Sequence, residues 1–185
     1  MTVTHTEPGL LTWDEYLVLP GETRNTDLID GKLVVNAASA QHERVLRRLL
    51  YSAQRWLDVA GDLGEWTTQQ PVRVNERRGY QPDASWFPAE QCTPASDIAG
   101  FTGLPAIVVE VLSPSTRSFD LLRKRGDYER LGVQEFWVFD PVDTSALVMR
   151  LDGDRYTEVP LAPADELTSP LLPGFAVGVG SLFVR

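Results

Sequence analysis

Two acidic residues and one lysine in the middle of the chain have the side chains needed to bind a cation and a phosphate group. They are Asp83, Glu110 and Lys124. Glu110 interrupts the apolar run 107–112, which is typical of a strand buried on both faces. Because an unpaired ionised carboxylate is strongly disfavoured there, this carboxyl group must be protonated, paired or bound to a cation. The alternative is a surface carboxylate on an edge strand.

Lys124 lies in the helix predicted directly after that strand. The apolar stripe of this helix consists of Leu121, Tyr128 and Leu131. Lys124 lies on the same stripe, one turn after Leu121. A lysine on this inward face favours a pair with Glu110 of the preceding strand. The lysine could instead snorkel to solvent or pair with Asp120 or Asp127 on its own helix.

Asp83 follows Pro82 at the start of a short predicted strand, and a Pro-Asp pair is also a common turn opener. Two carboxylates on neighbouring strands could hold a divalent cation through oxygen ligands, with water and phosphate completing the shell. A nearby lysine could orient or deprotonate the attacking water and balance phosphate charge. Together, Asp83, Glu110 and Lys124 suit the cleavage of a phosphodiester.

The overall charge narrows the functional classes. The 185 residues carry 26 acidic and 17 basic side chains, a net charge of −9, which argues against a general binder of nucleic acid or anionic membranes. It does not exclude a local basic groove. The single cysteine, Cys92, allows neither an intramolecular disulfide nor a zinc cluster. No signal-peptide pattern and no apolar run of about 20 residues occurs, so we expect a cytoplasmic protein without a membrane span.

The helices that must position these residues are marked by capping signals. Thr12 and Glu15 form a capping box at the start of a short helix. A long amphipathic helix is predicted over 41–60, with Ser39 as a cap and Gly61 at its end. The helix that carries Lys124 is predicted to begin after a Ser115 or Thr116 cap and to end before Gly132.

The strands and their turns complete one α/β domain over residues 1–185, with a flexible tail over 1–10. Hairpin turns are predicted at Asp30-Gly31 and Asp152-Gly153. Further strands are predicted within 65–74 and over 83–87, 107–112 and 133–139. The apolar, irregular segment 167–185 is expected to pack onto the body. The pattern therefore predicts a mixed β-sheet flanked by helices.

Longer stretches of the chain resemble a known family. Pro82-Asp83 followed by Val109-Glu110-Val111 looks like the pattern of the PD-(D/E)XK nucleases. The segments that carry the wider resemblance read DLIDGKLVV, QPDASW, LPAIVVEVLSPSTRSFDLLRKRGDYERLGVQEFWVFDP and SPLLPGF. Together they resemble the Uma2 family of restriction-type endonucleases over nearly the whole chain. The resemblance implies a restriction-endonuclease-like fold, a Mg²⁺ or Mn²⁺ cofactor, DNA as substrate and a homodimer.

The resemblance also assigns roles to residues. Asp83 and Glu110 match the metal carboxylates of the family, and Lys124 would supply the ammonium group that the nuclease superfamily usually has two residues after the glutamate. Leu112 occupies that place in this chain. Asp27 matches a further acidic position, although a solvated acid near a turn is an equal alternative. His42 matches a family histidine, although a lone histidine at a helix start is more often a hydrogen-bonding residue.

Two functions follow from these residues. The first is a metal-dependent endonuclease that hydrolyses DNA with Asp83, Glu110 and Lys124. The second is a catalytically silent protein of the nuclease fold that serves as a binding or assembly module. The complete set of three residues favours the enzyme, whereas the acidic balance and the lack of an obvious sequence-reading module keep the binding module as the alternative.

Overall fold

The computed structural model describes residues 2–3, 9–19, 25–36, 38–92, 101–113 and 119–184. The helices are α1 Trp13–Leu17, α2 Ala40–Ala60, α3 Phe119–Leu131 and α4 Val179–Phe183, with one 3₁₀ turn at Ala89–Gln91. The strands are β1 Thr2–Val3, β2 Thr26–Ile29, β3 Lys32–Val35, β4 Gly64–Thr67, β5 Val72–Asn75, β6 Arg78–Tyr80, β7 Ala84–Pro88, β8 Ile107–Val111, β9 Glu135–Asp140, β10 Ser145–Asp152, β11 Arg155–Leu161, β12 Glu166–Thr168 and β13 Ala176–Gly178.

The central sheet is mixed, as expected from the sequence. Its six strands have the order β11-β10-β9-β8-β7-β4, and only the pair β8 and β9 is parallel. A parallel pair requires a crossover connection, and α3 provides it between the two strands. The predicted α/β fold class is confirmed, and β8 lies inside the sheet rather than at its edge.

The remaining strands do not join this sheet. β1 to β3, β5 and β6 form a second, five-stranded sheet in the order β1-β3-β2-β6-β5, and β12 pairs with β13. The segment 65–74, predicted as strand, therefore divides into β4 and β5, which belong to different sheets. Between these two strands the chain passes through Gln69, which has a positive φ of 56°.

Two clusters of buried side chains cover opposite faces of the central sheet. On one face, Val45 and Leu49 of α2 pack with Trp137 and with the C-terminal segment. On the other face, Tyr128 of α3 packs with Val108 of β8 and with side chains of β5 and β6. Alternate residues of β8 point to alternate faces, so Glu110 shares the α3 face with Val108.

The expected turns and helix ends are mostly found. Asp30 and Gly31 both have positive φ, 51° and 78°, which suits the two-residue turn between β2 and β3. In the second hairpin Asp152 still pairs with Arg155, so the turn consists of Gly153 and Asp154 and lies one residue later than predicted. The Ser39 hydroxyl accepts a hydrogen bond from the backbone N–H of His42, and α2 ends at Gly61.

The ends of the chain add two observations. Thr2 and Val3 pair with Val35 and Val34 of β3, while residues 1 and 4–8 of the expected flexible tail lie outside the described residues. The C-terminal segment is apolar and packs onto the body as predicted, but it contains β12, β13 and α4. The predicted caps Ser115 and Thr116 also lie outside the described residues. No helix among those described is long and apolar enough to cross a membrane.

Candidate active site

Glu110 lies near the end of β8, in the interior of the central sheet, and only 13% of its side chain is exposed. The Lys124 ammonium group donates to its Oε1 over 2.8 Å. The Tyr128 hydroxyl lies 3.4 Å from the same oxygen. Because Lys124 and Tyr128 are one turn apart on α3, a single helix face supplies both donors.

Lys124 is nearly buried and contacts a second carboxylate. Its Nζ lies 3.1 Å from Oδ2 of Asp27, and 8% of its side chain is exposed. The ammonium group also lies 5.3 Å from the centroid of the Tyr80 ring, within cation–π range. Asp127, one of the partners considered on its own helix, instead pairs with Arg78, Arg130 and the Tyr80 hydroxyl. The Asp120 side chain lies outside the described part of the chain.

Asp27 is an interior residue of β2 and not a solvated acid near a turn. Its side chain is 2% exposed. Its Oδ1 accepts the backbone N–H of Gln81 over 2.8 Å, and its Oδ2 accepts the side-chain amide of Asn36 over 2.9 Å. These bonds fix the carboxylate of the second sheet against Lys124 of α3, which in turn contacts Glu110 of the central sheet.

The register of β7 and β8 places Asp83 beside Glu110. Ala84 of β7 pairs with Val109 of β8, so continuing the antiparallel ladder by one residue places Asp83 opposite Glu110. The strand ends before this pair, and the Asp83 side chain accepts the backbone N–H of Val111 over 2.7 Å. This bond holds the carboxylate at the sheet end.

His42 approaches Asp83 from the first turn of α2. Its Nε2 lies 3.1 Å from Oδ1 of Asp83. The other ring nitrogen, Nδ1, is buried and has no hydrogen-bond partner among the described residues. The contact shown for His42 is thus the hydrogen-bonding role considered as the alternative, here made to a site carboxylate, and a role as ligand or base stays a prediction.

The surroundings shift the proton affinities of these groups. Burial and the neighbouring carboxylates of Asp83 and Asp27 raise the pKa of Glu110 to about 8, although Lys124 opposes the shift. Burial disfavours the charged form of Lys124, but Asp27 and Glu110 outweigh burial and raise its pKa. Burial likewise disfavours protonated His42, and the hydrogen bond and charge of Asp83 raise its pKa above the ordinary value.

A cavity of about 40 Å³ opens between these elements, and its lining includes Asn25, His42, Gln81, Asp83, Glu110 and Lys124. It has room for water molecules or an ion. Three carboxylates, Asp27, Asp83 and Glu110, face the single ammonium group of Lys124, so the fully ionised set has a charge of −3 + 1 = −2 before His42 is counted.

This excess of charge and the oxygen donors suit a hard divalent cation. No group of three or more His, Cys, Asp and Glu side chains that could hold a metal ion is found among the described residues. Asp83 and Glu110 would thus form a two-residue ligand set, and water or phosphate oxygens would have to complete the shell. Asp27 is committed to Lys124 and its two amide donors, which makes it a support for the lysine.

Several contributors to the site gave no signal in the sequence. Asn36 and Gln81 hold Asp27, and Tyr80 and Tyr128 border Lys124. Tyr128 belongs to the apolar stripe of α3, where an aromatic residue is normally explained by core packing. The amides follow β3 and β6 directly, and only the pairing of those strands with β2 brings them to Asp27.

Comparison with known proteins agrees with this architecture. The model of the Uma2 family, described as "Putative restriction endonuclease", matches residues 13–180. Among solved structures, a crystal structure described as a putative nuclease belonging to DUF820, from Anabaena variabilis ATCC 29413, is similar with a TM-score of 0.78. The sequences are 17% identical, and the similarity covers 94% of this chain and 97% of that chain. No curated protein matches the chain.

Proposed function

The chain belongs to the Uma2 family, and from that premise we propose that it is a divalent-cation-dependent endonuclease that hydrolyses phosphodiester bonds of DNA. The observation that carries the proposal is the buried contact between Lys124 and Glu110, beside Asp83, at the end of the central sheet. A buried ammonium group among an excess of carboxylates is poorly explained by stability alone, since apolar residues of similar volume often replace a whole buried ion pair without loss of stability.

The carboxylates of Asp83 and Glu110 would hold the cation. When bound, Mg²⁺ or Mn²⁺ would neutralise phosphate charge and lower the pKa of a water molecule. Asp83 is held for this role by Val111 and His42, and Glu110 by its strand and by Lys124. Because the pKa of Glu110 is about 8 without a cation, this residue must release a proton to serve as an ionised ligand at neutral pH.

Lys124 would act as a cation and not as a base. The neighbouring carboxylates raise its pKa, so the ammonium form is strongly favoured. A charged lysine can donate hydrogen bonds to an attacking water or to a phosphate oxygen, and it can stabilise negative charge that develops in the transition state. Asp27 keeps the ammonium group at the cavity.

The test is cleavage of plasmid and single-stranded DNA in Mg²⁺ and Mn²⁺ by wild type, Asp83→Asn, Glu110→Gln and Lys124→Met. We expect cleavage by wild type only, and a decrease of at least a hundredfold in each variant, as is typical when a group that stabilises transition-state charge is removed. Lys32→Met is the matched control, because Lys32 is an exposed residue of β3 away from the cavity lining.

Two outcomes would contradict the proposal. Wild type that binds DNA but cuts none of it in either metal would leave the silent binding module as the function. Variants that cut as fast as wild type would show that the activity resides elsewhere in the chain or in a contaminant.

A further inference from the structure

The outer face of α2 carries a basic stripe in an otherwise acidic protein. We define the stripe as Arg44, Arg47, Arg48, Tyr51 and Arg55. The spacing of these residues puts them on one side of a helix, opposite Val45, Leu49 and Ala53, which are buried in the core. With four arginines against Glu43 and Asp58, α2 has a net charge of 4 − 2 = +2, whereas the whole chain has −9.

The stripe arginines differ from most other arginines in their partners. Away from α2, carboxylates lie within ion-pair distance of Arg73, Arg78, Arg123, Arg125, Arg130, Arg150 and Arg155. Among the described residues, none of the four arginines of α2 has such a partner. Arg48 donates to the backbone carbonyl of Ser181, and the Arg55 guanidinium lies 5.9 Å from the centroid of the Tyr51 ring.

The stripe combines guanidinium groups that lack carboxylate partners with an exposed aromatic ring. This combination suits a polyanion that also carries planar rings for stacking. Tyr51 is 64% exposed and offers a ring for stacking, while the arginines offer charge and bidentate donors. The apolar face of α2 is already buried in the core, so the helix has no apolar side left for a membrane surface. These features favour nucleic acid over an anionic lipid surface.

The stripe lies on the same helix as His42 of the candidate active site, although the stripe occupies the outer face of α2 and His42 the buried face. The cap of α2 is Ser39, and His42 in its first turn contacts Asp83. Arg44 follows two residues later, and from Arg44 to Arg55 the helix advances about 16 Å at ~1.5 Å per residue. That length corresponds to about five phosphates of one strand at ~3.4 Å per phosphate along the axis.

We propose that the basic stripe of α2 binds the phosphodiester backbone of DNA on one side of the cleaved bond. This inference rests on the proposed nuclease function, since it supplies the route by which an acidic protein holds its substrate. It assigns affinity to α2 and chemistry to the cavity, so the two properties can be removed separately.

The decisive variant is the triple substitution Arg44→Gln, Arg47→Gln and Arg55→Gln, which leaves the Arg48 hydrogen bond to α4 intact. The matched control is Arg73→Gln, Arg77→Gln and Arg155→Gln, which changes the net charge equally at exposed positions elsewhere. Binding of a fluorescent DNA, in duplex and single-stranded form, is measured in Ca²⁺ over a range of salt concentrations. Cleavage is measured in Mg²⁺, and Lys124→Met is included as the site variant.

We expect the affinity of the stripe variant to fall at least tenfold at low salt. The slope of log K against log salt should become shallower by about 2.7 for a duplex, at ~0.9 for each phosphate that an arginine no longer neutralises. The control triple should bind as wild type, and the slope of Lys124→Met should differ from that of wild type by at most the ~0.9 of a single phosphate contact. If the stripe variant binds with the wild-type slope while Lys124→Met is inactive, the stripe proposal is wrong and the nuclease proposal stands.

The converse outcome separates the two proposals in the other direction. Stripe-dependent binding by a wild-type protein that cuts no DNA would support the stripe and refute the nuclease. Vesicles with about 30% anionic lipid serve as the competing polyanion, because an anionic leaflet also attracts basic segments. If they bind wild type as tightly as DNA does and do not bind the stripe variant, the surface recognises lipid and the DNA proposal fails.

Discussion

At the scale of single residues, the site is governed by an imbalance of charge. Asp27 and Glu110 both contact the Lys124 ammonium group, Asp83 lies next to Glu110, and burial weakens the solvation of the charged groups. Protonation of Glu110, contact with Lys124 and binding of a cation are alternative ways to relieve the repulsion. Because these three effects compete, the removal of one of them should reveal the others.

Removal of the lysine should destabilise the metal-free protein. Lys124→Met leaves Asp27 and Glu110 without their shared cation, and breaking a buried pair in this way costs about 3 kcal/mol. Urea unfolding in a chelator measures the destabilisation, and the exposed Lys32→Met should change the free energy of unfolding by less than ~0.5 kcal/mol. Equal midpoints for Lys124→Met and wild type would show that the ammonium group contributes nothing to folding.

The raised pKa of Glu110 predicts a pH dependence with a definite sign. The pKa is about 8 in the folded protein and 4.5 ordinarily, so the folded state binds more protons between these values. The stability that Glu110 contributes is complete below pH 4.5 and is lost as the pH rises toward 8.

The comparison with Glu110→Gln isolates this effect, because the glutamine cannot titrate. In a chelator, the stability of wild type relative to Glu110→Gln should decrease steadily from about pH 5 to about pH 8, within the interval set by the two pKa values. Parallel stability curves for the two proteins would mean that the Glu110 pKa is the same in the folded and unfolded chain.

At the scale of elements, the packing of α1 against β6 depends on the glycine at position 79, which has no side chain. A Cβ on Gly79 of β6 would lie 1.9 Å from the Trp13 ring, and Trp13 is a buried residue of α1. Gly79→Ala should therefore destabilise the fold by about 2 kcal/mol or more, because the rigid indole must move.

Gly126 of α3 provides the matched substitution. A Cβ at this position meets no atom within 4 Å, so Gly126→Ala should stabilise the protein by up to ~1 kcal/mol through helix propensity. Urea midpoints measure both changes. Shifts of the same sign in the two variants would rule out the close approach of Trp13 to β6 as the cause.

The elements also differ in how far their sequences predict them. The strand around Glu110, the helix around Lys124 and the turn at Asp30 follow from apolar periodicity and local turn chemistry, and the structure contains all three. The assignment of β4 and β5 to different sheets does not follow, because period-two patterns carry no information on which strand is the neighbour.

The candidate site was predictable to the same extent. Lys124 could be placed on an inward stripe from the spacing of α3, and its contact with Glu110 could be inferred from the adjacent strand. Its second contact, with Asp27, joins residues from different elements and could not be inferred, because it depends on how the two sheets pack. Gln81 has no periodic signature either, and it reaches Asp27 only through the pairing of β6 with β2.

At the scale of the whole molecule, the homodimer that the family resemblance implies stays a prediction. The apolar C-terminal segment is buried in its own core through Leu167, Leu172 and Phe175, so it is not a free interface. A further reason to expect a dimer is that two strands of a duplex are cut most simply by two sites related by a two-fold axis.

Sedimentation and plasmid cleavage test the dimer together. We expect a species of twice the 20.6 kDa chain mass at micromolar concentration, and direct conversion of supercoiled plasmid to linear DNA. A 20.6 kDa species that produces open-circular plasmid with single nicks would instead identify a monomer that cuts one strand at a time.

A divalent cation that binds the site should raise the free energy of unfolding by more than salt does by screening the net charge of −9 of the protein. Mg²⁺ at about ten times its dissociation constant adds about 1.4 kcal/mol to the free energy of unfolding, through mass action on the folded state. For a single domain of this size, that raises the melting temperature by roughly 3–6 °C. NaCl at equal ionic strength screens the surface but supplies no ligand for Asp83 and Glu110.

The variant Glu110→Gln separates these two contributions. It removes one of the two proposed ligands, while the surface charge of the protein is unchanged. We therefore expect melting curves of Glu110→Gln to respond equally to Mg²⁺ and NaCl, whereas wild type shows the additional increase in Mg²⁺. The same Mg²⁺-specific increase in both proteins would place the cation away from Glu110, and the proposed metal site would be wrong.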